Sequence, residues 1–302
     1  MKPIIVVGSI NMDLVTRTGR IPRPGETVLG SGFQMHSGGK GANQAVAVAR
    51  LGYPSILLGV LGTDIFGRQL ISTLKDYGVN TEHVGSANGS SGTASIVVDE
   101  NGENTIIVTP GSNLEVTSDF LESKLDLLRS AGMVLAQLEI PVDTVEWLAD
   151  RCAKFNIPFM LDPAPANELP SELLSRVTWF TPNQTESAFY AGNEHSEEGT
   201  IRRLLASGMA NIVLKQGADG AIAVVTDGAR YRVEAFKVKP VDTTAAGDSF
   251  NGAFAVGLMR GLGVQECLRF AAAAAAISVT RHGAQPSMPS LEEVSELLTA
   301  LV

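Results

Sequence analysis

The apolar positions of this chain fall into two alternating patterns. Ile4-Ile5-Val6-Val7-Gly8 is a short continuous apolar run, as expected of a strand buried on both faces. Comparable runs at 56–60, 133–137, 158–161, 178–181, 212–215 and 221–225 predict further strands. Between them, helical spacing of apolar residues predicts helices over 66–77, 118–129, 142–155, 186–191 and 197–207. A helix is also predicted over 42–51, ended by Gly52. Another apolar helical pattern begins at Phe250 and continues through Ala253, Phe254, Gly257 and Leu258. The alanine run 271–276 predicts a helix lying close against something flat. Strands alternating with helices predict an α/β fold: a doubly wound, mainly parallel central sheet with helices on both faces.

Two stretches depart from that rhythm. Residues 15–36 are rich in turn formers (Pro22, Pro24, Gly25, Gly30, Gly32), with apolar positions Val28, Leu29 and Phe33 that lack helical spacing. Residues 93–99 and 104–108 are β-rich and flank Glu100-Asn101-Gly102-Glu103, where Asn-Gly predicts a hairpin. With no internal repeat, low-complexity tail or long linker, one α/β domain spanning 1–302 is expected.

Composition narrows the function classes. A chain of 302 residues, 44% apolar and 18% charged, builds a sizeable soluble core. The net charge of -9, with no basic block to offset it, excludes a nucleic-acid surface. Cys152 and Cys267 form neither a metal-binding spacing nor a disulfide framework. The N-terminal apolar run is too short for a signal peptide, and no stretch approaches the ~20 residues needed to span a bilayer. The expectation is a cytoplasmic protein without membrane contact.

Polar chemistry clusters at the ends of the predicted strands. In Val241-Asp242-Thr243-Thr244-Ala245-Ala246-Gly247-Asp248, small residues lead into a helix start. Small residues let backbone N–H groups approach a ligand, and a helix N-terminus suits an anion such as a phosphoryl group. Asp248 there is either a helix cap or a carboxylate base. Asn11 and Asp13 follow the first strand, where α/β sheets bind ligands; a plain Asx turn reads the same way. Ser37-Gly38-Gly39-Lys40-Gly41-Ala42-Asn43 opens a helix but is neither a Walker A loop nor G-x-G-x-x-G. Its adjacent glycines leave bare backbone for a hydroxyl-rich ligand, and Asn43 offers both donor and acceptor. Glu139 ends the strand at 133–137, as a ligand contact or as a cap for the next helix. Asn183 and Glu186 stand one helical turn apart, suited to a site or to a cap. Lys215-Gln216-Gly217-Ala218-Asp219-Gly220 reads as a turn between strands.

Taken together, the Gly38–Asn43 and Asp242–Asp248 clusters resemble those of the ribokinase-like sugar kinase family, and the resemblance covers nearly the whole chain. It implies a small β-sheet lid formed by roughly 12–36 and 91–109, and transfer of the ATP γ-phosphate to a sugar hydroxyl. The implied acceptor is the 5-hydroxyl of D-ribose; a deoxyribokinase, fructokinase or nucleoside kinase is the alternative, and a catalytically silent sugar- or nucleotide-binding regulator the remoter one. By the same resemblance Asp248 is the general base, and the N–H groups of Ala245, Ala246 and Gly247 are the anion hole. The sugar would meet Asn11, Met12, Asp13, Gly39, Lys40, Gly41, Ala42, Asn43, Glu139 and Asp248. The nucleotide would meet Asn183, Lys215, Gln216, Gly217, Ala218, Asp219, Gly220, Gly247 and Asp248, with residues 215–220 along its ribose and base.

Glu186 would hold Mg²⁺ through water, and Mg²⁺ commonly keeps several waters. K⁺ would lie near Asp242, Thr244, Ser278, Arg281, Gly283 and Ser287, the last three within Arg281-His282-Gly283-Ala284-Gln285-Pro286-Ser287. Two positions depart from the family pattern: Asp162 stands where Asn is expected in Asp162-Pro163-Ala164-Pro165-Ala166, and Ala272 where His or Asn is expected. An exposed apolar lid needs covering, and the resemblance implies a homodimer clasped through it.

Overall fold

The structure is a computed structural model, which describes residues 1–302 apart from positions 193, 195, 301 and 302. Its strands are β1 (Ile4–Val7), β2 (Asn11–Thr18), β3 (Gly30–Gly38), β4 (Ser55–Leu58), β5 (Val60–Gly62), β6 (Gly85–Ala87), β7 (Gly92–Val98), β8 (Asn104–Thr109), β9 (Met133–Gln137), β10 (Phe159–Asp162), β11 (Trp179–Phe180), β12 (Ile212–Lys215), β13 (Ala221–Val224) and β14 (Arg230–Val233). Its α-helices are α1 (Lys40–Arg50), α2 (Ile65–Asp76), α3 (Ser118–Glu122), α4 (Leu125–Arg129), α5 (Val142–Lys154), α6 (Ser171–Leu174), α7 (Gln184–Tyr190), α8 (Glu197–Ala206), α9 (Ala246–Met259), α10 (Val264–Ser278) and α11 (Leu291–Thr299).

Eight strands form the central sheet in the order β14-β13-β12-β11-β10-β9-β1-β4. Neighbours from β4 to β12 are parallel, and β13 and β14 turn back antiparallel at one edge. Successive side chains of a strand point to opposite faces. Ile4 and Val6 therefore enter one core with α1, α9 and α10, while Ile5 and Val7 enter the other with α5 and α8. Met133 and Leu135 alternate with Val134 and Ala136 in the same way. The doubly wound, mainly parallel sheet expected from the sequence is what forms.

The second sheet has the order β3-β2-β7-β8 and is the lid. The Asn-Gly hairpin closes it as expected: Gly102 takes φ 84° and Asp99 N donates to the Glu103 carbonyl at 3.0 Å. Met12 and Ala94 are buried, whereas Phe33 of β3, Ile107 of β8 and Leu29 just before β3 are exposed.

Several boundaries differ from the sequence expectation. The apolar run 56–60 is two strands, because it divides at Gly59, where a Cβ would lie 2.9 Å from the Gly8 carbonyl oxygen; β5 then pairs with β6 in a sheet of its own. The run 118–129 is two short helices, because Ser123 Oγ donates to the Phe120 carbonyl at 2.7 Å, competing for an acceptor of the continuing helix. Helix α9 starts four residues before Phe250. The alanine run within α10 lies against α9 as well as against β13 and β14, so its small side chains serve helix–helix contact and not the sheet alone.

Candidate active site

Asp13 lies on β2, at the point where the chain leaves the central sheet for the lid. A Cβ on Gly38 of the paired strand would stand 2.2 Å from Asp13 Oδ2, so the carboxylate occupies space that only glycine leaves free. Gly39, at φ 88°, has the same property: its Cβ would lie 2.6 Å from Asn11 N. The expectation that these glycines leave bare backbone for a ligand is thus corrected on their Cβ side, which the chain itself fills. Asn11 and Asp13 are not in an Asx turn; they are strand residues, and Asn11 accepts from Asn113 Nδ2 at 2.7 Å.

Glu139 does not cap α5. Its Oε2 accepts from Ser9 Oγ, from Asn11 Nδ2 at 3.4 Å and from the Lys40 backbone N–H at 3.2 Å, which ties β1, β2 and α1 together at one point. Met12, between Asn11 and Asp13 on β2, is buried in the hydrophobic core.

Asp248 is the third residue of α9, not its cap. The N-cap is Ala245, in the left-handed region at φ 58°. Asp248 is buried, and two amides from α1 hold it: Asn43 Nδ2 donates to Oδ2 at 2.9 Å and Gln44 Nε2 to Oδ1 at 3.1 Å. Gln44 Nε2 also donates to Asp162 Oδ2 at 2.9 Å, and Gln44 Oε1 accepts from Gln137 Nε2 at 2.7 Å. Asp162 Oδ1 in turn takes Lys215 Nζ at 2.9 Å. The departure from the family pattern at Asp162 therefore has a partner, and one glutamine amide bridges it to Asp248. Neither Gln44 nor Gln137 belongs to a motif; the only trace in the sequence is a glutamine ending an otherwise apolar strand.

The charges are mutually dependent. Burial raises the Asp248 carboxyl to about 6; Asp162 adds to the rise, and Lys40, Asn43 and Gln44 oppose it. Burial, then Glu139 and Asp248, push Asp13 up to about 7. Burial alone would lower the Lys40 ammonium, but Asp248, Glu139, Asp162 and Glu186 outweigh it and hold Lys40 above its ordinary value.

Four free N–H groups at the α9 start supply the anion cradle in principle. Ala246 N, however, donates to the Thr243 carbonyl at 3.3 Å, which leaves the N–H groups of Gly247 and Asp248 as donors of the first turn. Asn183 and Glu186 form a reciprocal capping box on α7: Asn183 Oδ1 accepts from Glu186 N at 2.9 Å and Glu186 Oε2 from Asn183 N at 2.8 Å. Burial and the Asp162 charge raise the Glu186 carboxyl.

A cavity of about 510 Å³ opens beside the α9 start, lined by Lys215, Gly217, Thr243, Gly247, Phe250 and Ala272 among others. Ala272 adds to an apolar wall there and offers no side-chain hydrogen bond. Ala218 and Gly220 line the same cavity, whereas Asp219 does not, and Gln216 faces a second cavity of about 310 Å³ and donates to Glu197 at 2.8 Å. Asp242 joins the remaining predicted segment: Oδ1 accepts from Thr244 N and Oδ2 from Gly283 N, both at 2.9 Å. Burial opposes its ionisation, but these bonds outweigh it and hold Asp242 below its ordinary value. The Arg281 side chain turns away to Glu293, and Ser278 Oγ and Ser287 Oγ bond to local carbonyls.

The profile of the pfkB family carbohydrate kinases matches residues 1–291. The chain belongs to that family. It is 41% identical to a ribokinase of Bacillus subtilis over 300 residues, covering 99% of this chain and all of that one. It is 35% identical to a deoxyribokinase of Salmonella typhimurium over 302 residues, covering 98% of both. Its fold superposes on a ribokinase of Arabidopsis thaliana complexed with ribose and ATP, with a TM-score of 0.92, 35% identity and 98% of both chains covered. As a pfkB carbohydrate kinase, this chain is an ATP-dependent sugar phosphotransferase. Among the described residues no helix is long and apolar enough to cross a membrane.

Proposed function

We propose that this chain transfers the γ-phosphate of ATP to the 5-hydroxyl of D-ribose. The observation that carries the reading is Asp248: a buried carboxylate with a raised pKa in the first turn of α9, held by Asn43 and Gln44 of α1 and next in sequence to Gly247, which lines the large cavity. Likeness to ribokinases along the whole chain supports ribose as the acceptor.

In this reading Asn11, Asp13, Asn43 and Glu139 orient the sugar hydroxyls. Asp248 takes the proton of the attacking hydroxyl, for which a carboxyl pKa near the working pH is well matched. The N–H groups of Gly247 and Asp248 stabilise charge on the transferring group; one such donor is worth about 3 kcal/mol. ATP would occupy the large cavity, its base toward the apolar Ala272 wall.

Mg²⁺, when bound, would neutralise phosphate charge. Glu186, at the first turn of α7, would hold it as a single carboxylate acting through water, since Mg²⁺ commonly keeps several of its waters. K⁺ fits the carbonyl-rich loops that Asp242 staples together, with Arg281 contributing backbone only. The lid and the sheet belong to one folding unit in this reading, since β2 is continuous with the site, and the enzyme works in the cytoplasm as a dimer that covers Phe33 and Ile107. Light scattering that found a monomer at working concentration would remove the dimer from the reading.

The test is phosphorylation of ribose, 2-deoxyribose, fructose and adenosine by ATP, with and without K⁺. Highest kcat/KM for ribose with K⁺ activation is expected. Preference for 2-deoxyribose would move the assignment to the deoxyribokinase side of the family, and no turnover of any sugar would overturn it.

A further inference from the structure

Lys215 is the last residue of β12, and its backbone N–H bonds to the Pro182 carbonyl at 2.9 Å, next to Asn183. Its side chain is 11% exposed and that of Asp162 is 4% exposed. The ammonium lies against the start of α9: the point where a Cβ would stand on Gly247 is 3.5 Å from Lys215 Nζ. Gly217, Ala218 and Gly220, by contrast, line the cavity away from that point. The end of Lys215 therefore sits at the anion cradle, not along a nucleotide's ribose or base.

A buried ion pair is a poor way to gain stability, because desolvating both charges offsets most of their attraction. This one stands where a polyphosphate must lie amid Asp162, Glu186 and Asp248, all carboxylates that would repel it. Lys40 offsets them from α1, and Lys215 supplies a second positive charge from the opposite wall. We propose that Lys215 is a phosphate ligand of this kinase: with nucleotide bound, its ammonium takes an oxygen of the terminal phosphate, and Asp162 is the positioning residue that holds it ready. The inference rests on the kinase reading above. The Asp162–Lys215 pair thus explains why an acidic residue is acceptable in the motif at 162: its charge has a mobile counterion.

The test is equilibrium binding of ATP and AMP with Mg²⁺, in the absence of sugar, to the full chain and its variants. For Lys215→Met, ATP affinity is expected to fall about tenfold or more, as for a lost bond to a charged group, while AMP affinity changes by less than about twofold. Lys215→Arg should keep most of the ATP affinity. Lys215→Met leaves Asp162 unpaired and risks misfolding, so Asp162→Asn with Lys215→Met, which carries no unpaired buried charge at this pair, is the second variant; it should show the same selective loss. Equal weakening of ATP and AMP, or wild-type ATP affinity in the double variant, would overturn the proposal and make the pair purely structural. A wild-type protein that bound ATP no better than AMP would overturn the kinase reading with it.

Discussion

Asp162→Asn should shift the acid limb of the rate profile, and the structure sets the size of the shift. Asp162 and Asp248 each accept one hydrogen of the same Gln44 amide, at 2.9 and 3.1 Å, so their bonded oxygens are within about 6 Å of each other. Two like charges at that distance repel by about 3 kcal/mol at an effective permittivity of 20. That corresponds to about two pK units, and about half as much at twice the permittivity. Asn removes the charge but keeps one oxygen, so it accepts from either Gln44 or Lys215 and turns its amide NH2 toward the other. The base that burial and Asp162 hold near 6 should then titrate about one to two units lower. At pH 5.5 about a quarter of wild-type Asp248 is ionised, against about nine-tenths in a variant titrating at 4.5. The assay is kcat for ribose phosphorylation from pH 4.5 to 8, with ADP formation followed by chromatography so that no coupling enzyme limits the range. Since kcat reports the ternary complex, its acid limb should fall with pH later in the variant than in the wild type. An unmoved limb, or one shifted upward, would refute the coupling through Gln44.

Three further outcomes follow from the site. Asp248→Asn should lower kcat about a thousandfold while ATP affinity changes only a few fold, checked by steady-state kinetics and ATP titration. Burial, then Glu139 and Asp248, push the folded-state Asp13 carboxyl up to about 7 from its ordinary 3.8, so stability is lost as the pH rises between those values. Asp13→Asn should therefore raise the Tm at pH 8, by on the order of a few kcal/mol of stability, and leave it unchanged near pH 3, while impairing ribose binding. Gly38→Ala places a Cβ 2.2 Å from Asp13 Oδ2 and should displace that carboxylate instead of unfolding the chain. Its ribose KM should rise about tenfold with the ATP KM nearly unchanged; equal effects on both would place Asp13 outside the sugar contacts.

The parts of this molecule that were legible in its sequence are those in which neighbouring residues carry the whole pattern. The buried strand Ile4–Val7, the Asn101-Gly102 hairpin and the small residues before Asp248 all act within a few positions of one another. The hidden parts are contacts between remote positions. Gln44 is 118 residues from Asp162 and 204 from Asp248, and nothing around Gln44 distinguishes it from any polar residue on a small-residue helix. For Lys215 the resemblance implies a nucleotide contact, but its pairing with Asp162 is hidden because the partner lies two strands away in the sheet. The glycines at 38 and 39 were recognised as special, but for space toward a ligand; their Cβ directions are blocked by Asp13 and Asn11. Asn183 and Glu186 read from the sequence as either a cap or a site, and the capping box realises the first of these.

Helix α1 begins beside Glu139 and α9 beside the large cavity, and they meet where a Cβ on Gly252 would stand 2.6 Å from Ala47 Cβ. Asn43 and Gln44, from the first sixth of the chain, hold a carboxylate from its last fifth. For anyone recombining relatives of this enzyme, the chain has no neutral midpoint. A crossover between the two helices would take Asn43 and Gln44 from one parent and the carboxylate they hold from the other, joined by a seam that neither parent had fitted. Positions 43, 44, 47, 248 and 252 form one heritable block, although about two hundred residues separate its halves, and chimeras that carry them together are the ones that should keep turnover.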